Sequence, residues 1–123
     1  MIVIFKNNHQ TRFQLDHNKR YKFCVHDFGC TFQRSVTKVL PHGTFLALDS
    51  NLVAKNCLNP CQNIIFFEFD ANQVWQTIKF SLPSFDILSI KDLEYVNFSI
   101  STLDNEKIAL KDYFVKIEIL ECQ

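Results

Sequence analysis

Glycine is scarce: Gly29 and Gly43 are the only two in 123 residues. Phosphate-binding loops of the Walker and Rossmann kinds need several glycines close together, so that backbone amides can approach the phosphate. Those nucleotide-binding folds are excluded. Net charge is absent too, because thirteen acidic and thirteen basic side chains cancel. A nucleic-acid binder presents a basic face, and the longest basic cluster here is Asn18-Lys19-Arg20-Tyr21-Lys22, so nucleic acid is not an expected partner. No apolar run approaches a membrane span. The opening Met1-Ile2-Val3-Ile4-Phe5 is too short for a secretion-signal core and gives way to Lys6-Asn7-Asn8-His9. The expectation is an intracellular protein, neither secreted nor membrane-bound, whose five cysteines are free thiols.

Phenylalanine is abundant, with thirteen copies. The apolar residues recur with period two, and helical spacing hardly occurs. Tyr21, Phe23 and Val25 alternate with Lys22, Cys24 and His26. Val74, Ile78 and Phe80 oppose Trp75, Thr77 and Lys79; Val96, Phe98 and Ile100 oppose Asn97, Ser99 and Ser101. Tyr113, Val115, Ile117 and Ile119 oppose Phe114, Lys116 and Glu118. Each pattern describes a strand with one dry and one wet face. Residues 63–69, Asn-Ile-Ile-Phe-Phe-Glu-Phe, are apolar on both faces, which predicts a central strand. Asn, Asp, Gly or Pro punctuates these runs, as in His26-Asp27-Phe28-Gly29, Pro41-His42-Gly43, Asp70-Ala71-Asn72 and Leu103-Asp104-Asn105-Glu106. Strand-like runs about every ten residues predict one all-β domain over residues 1–123, a jelly-roll-like antiparallel sandwich or barrel. At most one short helical turn is expected, capped by Ser89.

The chemistry-bearing residues are few. Cys57 and Cys61 bracket Leu-Asn-Pro, and the plain expectation is a tight turn leading into the 63–69 strand. Zinc would need four ligands, and Cys24, His26 and Cys30 are the residues available to complete a set with Cys57 and Cys61. A Cys24/His26 catalytic dyad is expected to fail, because positions i and i+2 of a strand stand about 6–7 Å apart. Three of the four histidines fall in turns. The carboxylate pairs Glu68/Asp70 and Asp104/Glu106 read as solvated strand and loop charges, without the cleft a glycosidase needs. No cofactor is expected, no residue is assigned as catalytic or metal-binding, and the chain is read as a non-enzyme.

The aromatics exceed what one dry face requires, and the run 64–70 has no basic residue to serve a nucleic-acid platform. Strands apolar on both faces call for cover on both faces, which another subunit supplies. Trp75, Tyr95, Phe114 and Leu120 interrupt otherwise polar faces and are the interface candidates. Two other readings stay open: an intracellular host-interaction module with an aromatic surface, and a small metal protein or hydrolase using Cys24, His26, Cys57 and Cys61.

Residues 96–120, Val-Asn-Phe-Ser-Ile-Ser-Thr-Leu-Asp-Asn-Glu-Lys-Ile-Ala-Leu-Lys-Asp-Tyr-Phe-Val-Lys-Ile-Glu-Ile-Leu, resemble the closing hairpin of small β-rich minor capsid and cementing proteins. These belong to adenovirus-like double-stranded DNA viruses and Polinton-type virus-like transposons. The family's usual turn glycine is replaced here by Asn105-Glu106. The resemblance implies a structural protein of the virion whose partners are coat proteins or further copies of itself. An AT-rich codon signature, rich in Phe, Ile, Asn and Lys, is compatible with that origin.

Overall fold

The computed structural model describes residues 1–7, 13–32, 40–52, 63–79, 86–88, 92–93 and 96–122. Its strands are β1 (Ile2–Lys6), β2 (Phe13–Gln14), β3 (Tyr21–Phe32), β4 (Phe45–Ser50), β5 (Asn63–Glu68) and β6 (Trp75–Lys79). They continue with β7 (Asp86–Leu88), β8 (Asp92–Leu93), β9 (Phe98–Thr102), β10 (Lys107–Ile108) and β11 (Leu110–Glu121). The described residues contain no helix, and every strand pairing is antiparallel. A five-stranded sheet runs β1-β11-β3-β6, with β7 also on β3, and packs against a four-stranded sheet ordered β10-β9-β4-β5. The sheets do not close into a barrel, so the molecule is a β-sandwich. Strands β2 and β8 form a separate two-stranded ribbon. Asp92 and Leu93, inside the expected helical turn, are therefore strand; Ser89 lies outside the described residues.

The long pair β3/β11 organises the larger sheet. Its register shifts twice, between Leu110 and Asp112 and between Lys116 and Ile117. At the second shift Lys116 opposes Asp27 and Ile117 opposes Val25, which leaves His26 as an unpaired extra residue. Such a β-bulge reverses the inward and outward phase of every later residue on its strand. Hence Phe23 and Val25 point inward before it and Phe28, Cys30 and Phe32 point inward after it, all buried in one core. The expected turn at residues 26–29 does not form. The chain runs straight through as one 12-residue strand because the bulge absorbs the phase change. It also divides the strand's other edge, with β6 on Asp27–Thr31 and β7 on Tyr21–Phe23.

Aromatic rings bridge the two sheets. Phe5 meets Phe98 at a centroid separation of 5.4 Å, Phe28 meets Phe67 at 5.4 Å, and Phe32 meets Phe69 at 5.2 Å. Tyr113 approaches Phe98 edge-on at 6.0 Å. Offset and edge-on pairs of this kind each contribute about 0.5–1.5 kcal/mol beyond their burial. Phe98, Ile100, Val115, Ile117 and Ile119 are buried as alternation predicts, but Ser101, expected on the wet face of β9, is buried too, its hydroxyl donating to Asp49 Oδ2 at 2.7 Å.

Strand β5 departs from expectation. Among the described residues it pairs with β4 alone, at the end of its sheet; Phe67 is buried while Phe66 is 56% exposed. Its second apolar face therefore points outward. On β6, Gln76 faces inward, while Val74, just before the strand and expected on its dry face, stays exposed. The buried amide is satisfied by the preceding turn: Nε2 donates to Asp70 O (2.6 Å) and Gln73 O (2.9 Å), and Oε1 accepts from the Asp70 amide (3.1 Å). Among the described residues, Gly43 (87°) and Asn105 (65°) adopt positive φ. Asn105 closes the β9–β10 hairpin, its amide donating to Thr102 O at 3.0 Å. Asparagine tolerates the left-handed region better than other non-glycine residues, which accounts for a turn without glycine.

Cys30 reports directly on the bulge. Burial pushes its thiol from an ordinary 9.0 up to about 12. As pH rises past 9 the unfolded chain ionises this thiol first while the folded chain keeps it protonated. The stability it contributes is complete below pH 9 and is lost progressively towards pH 12. The loss runs at up to about 1.4 kcal/mol per pH unit. Urea unfolding across this range should show a shallower decline in Cys30→Ala than in the parent. Equal slopes would place the thiol outside the core.

Candidate functional site

The outer face of the larger sheet carries both features of functional interest. The first is an aromatic pair. Trp75 on β6 and Phe114 on β11 stack at 5.9 Å with an interplanar angle of 19°. They reach one another across β3 because Gly29 lies between them, opposite Phe114 and Thr77. A Cβ on Gly29 would stand 2.4 Å from Phe114 Cε1 and 2.7 Å from Trp75 Cζ2. Glycine in a strand interior commonly marks such a close approach. Phe114 is thereby half-buried, whereas Trp75 remains 41% exposed.

Ile2 and Ile4 lie on the same outer face, exposed on edge strand β1 beside Glu118 and Lys116. Between them and the aromatic pair runs a polar strip in which Lys116 Nζ stands 4.0 Å from Asp27 Oδ2. Leu120 is half-buried opposite Lys22. Three of the four expected interface residues are thus placed on one face. Tyr95 lies outside the described residues, as do Cys57 and Cys61.

The second feature is a cluster of Cys24, His26 and Glu118, whose ligand-capable atoms all lie within 4.8 Å of one another. Cys24 and Glu118 are directly paired across the β3/β11 ladder, and His26 is the extra residue of the bulge. His26 Nε2 sits 2.5 Å from Glu118 Oε2 and 3.7 Å from Cys24 Sγ. The expected separation of Cys24 and His26 is therefore corrected. Backbone spacing sets the distance between their Cα atoms, but the imidazole leans back along the strand and brings its tip to the sulfur. Cys30 cannot join them, because the phase reversal sends it into the core on the opposite face. Glu118 takes its place. Its position on the wet face of β11 was legible from alternation, but its pairing with Cys24 depends on a register that a single sequence does not display.

Cys24 is 2% exposed, and its thiol is raised above the ordinary value by burial and by the nearby Glu118 charge, against a lowering contribution from the Glu118 backbone amide. A nucleophilic relay requires the thiol on one imidazole nitrogen and the orienting carboxylate on the other. Here both partners meet the same nitrogen, and the thiol is held neutral under cover. The cluster has the wrong geometry for cysteine catalysis. One nitrogen shared by a sulfur and a carboxylate is instead the geometry of convergent ligands.

The chain matches no protein-family model, no curated protein and no solved structure.

The aromatic pair generates a prediction about the fold. Gly29→Ala should cost about 1–3 kcal/mol, since the overpacking penalty outweighs the roughly 0.5–1 kcal/mol that alanine gains over glycine in a strand. In a Phe114→Ala background the part of that penalty due to the Phe114 ring should vanish while the Trp75 contact remains, giving a coupling measurable by a denaturation double-mutant cycle. Additive effects would show that the ring does not lie over Gly29.

Proposed function

We propose that this chain is a non-enzymatic structural protein that docks on another protein subunit through the outer face of its larger sheet. The observation that carries this reading is Trp75, stacked on Phe114 over Gly29 yet 41% exposed. An aromatic ring fixed before association loses little conformational freedom on binding, which is what makes such residues dominate interfaces. The ion-paired strip of Lys116 and Asp27 beside it, and exposed Ile2 and Ile4 beyond, have the mixed apolar and polar character of a protein interface.

In its more specific form the partner is a coat protein and the chain a minor capsid or cementing component of a virion. The support is the resemblance of residues 96–120 to the closing hairpin of that family. In the structure Asn105 supplies the left-handed residue of the turn between β9 and β10, and the final strand does not complete a hairpin with β9: β11 lies in the other sheet, between β1 and β3.

Co-sedimentation with particles from the native source tests this proposal. The chain should travel with particles in fixed stoichiometry, and Trp75→Ala should weaken the association by about 2 kcal/mol or more, on the order of thirtyfold. Finding the chain only free, or finding Trp75→Ala bound as tightly as the parent, would overturn it.

A further inference from the structure

We infer that Cys24, His26 and Glu118 together bind one divalent metal ion of the zinc class, on the outer face of the larger sheet. The inference is independent of the docking proposal and rests on three observations. First, the donor set of one thiolate sulfur, one imidazole nitrogen and one carboxylate oxygen suits zinc, a borderline-soft ion that accepts all three. Second, the spacing is close to what coordination needs. Tetrahedral zinc, with bonds of about 2.0–2.3 Å, separates neighbouring donors by about 3.3–3.6 Å. The sulfur and nitrogen are already 3.7 Å apart, and the full set falls within 4.8 Å. Ion entry requires the 2.5 Å contact between His26 and Glu118 to open by roughly an ångström, a side-chain movement and not a rearrangement of strands. Third, the donors stand on adjacent central strands, and the bulge that presents His26 is a feature that recurs beside functional sites.

The chemistry balances without an added reactant. Cys24 gives up its thiol proton to solvent, His26 ligates as neutral imidazole through Nε2 with its proton on Nδ1, and Glu118 ligates as carboxylate. With His26 and Glu118 side chains 28% and 27% exposed, water reaches the fourth position. This arrangement also replaces the four-ligand set of Cys24, His26, Cys57 and Cys61 with one that needs neither of the last two.

Cobalt titration of the reduced, chelator-stripped full chain tests the site, because a sulfur-to-cobalt charge-transfer band appears only when a thiolate is a ligand. One equivalent should saturate the band, and zinc should displace it. Cys24→Ser should abolish the band. His26→Gln and Glu118→Gln should each weaken binding beyond the ~10–100-fold typical of outer-shell changes, and Cys57→Ser/Cys61→Ser should leave it unchanged. Circular dichroism verifies that each variant is folded. If Cys24→Ser fails to fold, His26→Gln decides, since its side chain is partly exposed. No saturable band in the parent would overturn the inference. So would a band that survives both Cys24→Ser and His26→Gln, or one that is lost in Cys57→Ser/Cys61→Ser.

Discussion

The unpaired His26 between Val25–Ile117 and Asp27–Lys116 is the constraint on which the core and the aromatic pair depend. Without it β3 would keep a single phase from Tyr21 to Phe32. Phe28, Cys30 and Phe32 would then face solvent while Gly29 and Thr31 faced the core. The inter-sheet contacts of Phe28 with Phe67 and of Phe32 with Phe69 would be lost. Losing one buried phenylalanine typically costs about 3–5 kcal/mol, so losing two would consume most of the net stability of a domain this size. The extra residue is therefore required by the core.

The same register has consequences on the outer face. By directing Gly29 outward it opens the gap across which Trp75 and Phe114 stack. Ahead of the phase change, Cys24 and His26 share the outer face by alternation and meet Glu118 from the partner strand. The two features share one rigid ladder but differ in physical character. The aromatic pair is an apolar anchor whose exposed ring suits a protein partner. The Cys24–His26–Glu118 cluster is polar, largely covered, and shaped by convergence on one nitrogen.

How much of this was legible in the sequence follows from which signals are local. Period-two alternation identified the β9 and β11 faces, and the Asn/Asp/Gly punctuation located the turns at residues 41–43, 70–72 and 103–106. The bulge was also written there: apolar residues at 21, 23 and 25 resume at 28, 30 and 32, two runs offset by one position. Residues 26–29 read as a turn because His-Asp-Phe-Gly has turn composition, and composition alone does not distinguish a reversal from a bulge. Strand order was not legible. Residues 63–69 read as central because both faces are apolar, yet β5 lies at the end of its sheet among the described residues, with Phe66 outward. Glu118 escaped notice for the same reason, since a cross-strand partner is fixed by register and not by spacing along the chain.

Nuclear Overhauser contacts along the β3/β11 ladder of the folded protein test the central claim most directly. Backbone contacts should link Val25 to Ile117 and Asp27 to Lys116, with His26 lacking a cross-strand partner of its own. Phe28 ring protons should show contacts to Phe67. An unbroken register, with His26 opposite Lys116 and Asp27 opposite Val115, would contradict the account and remove the common basis of the core and the aromatic pair.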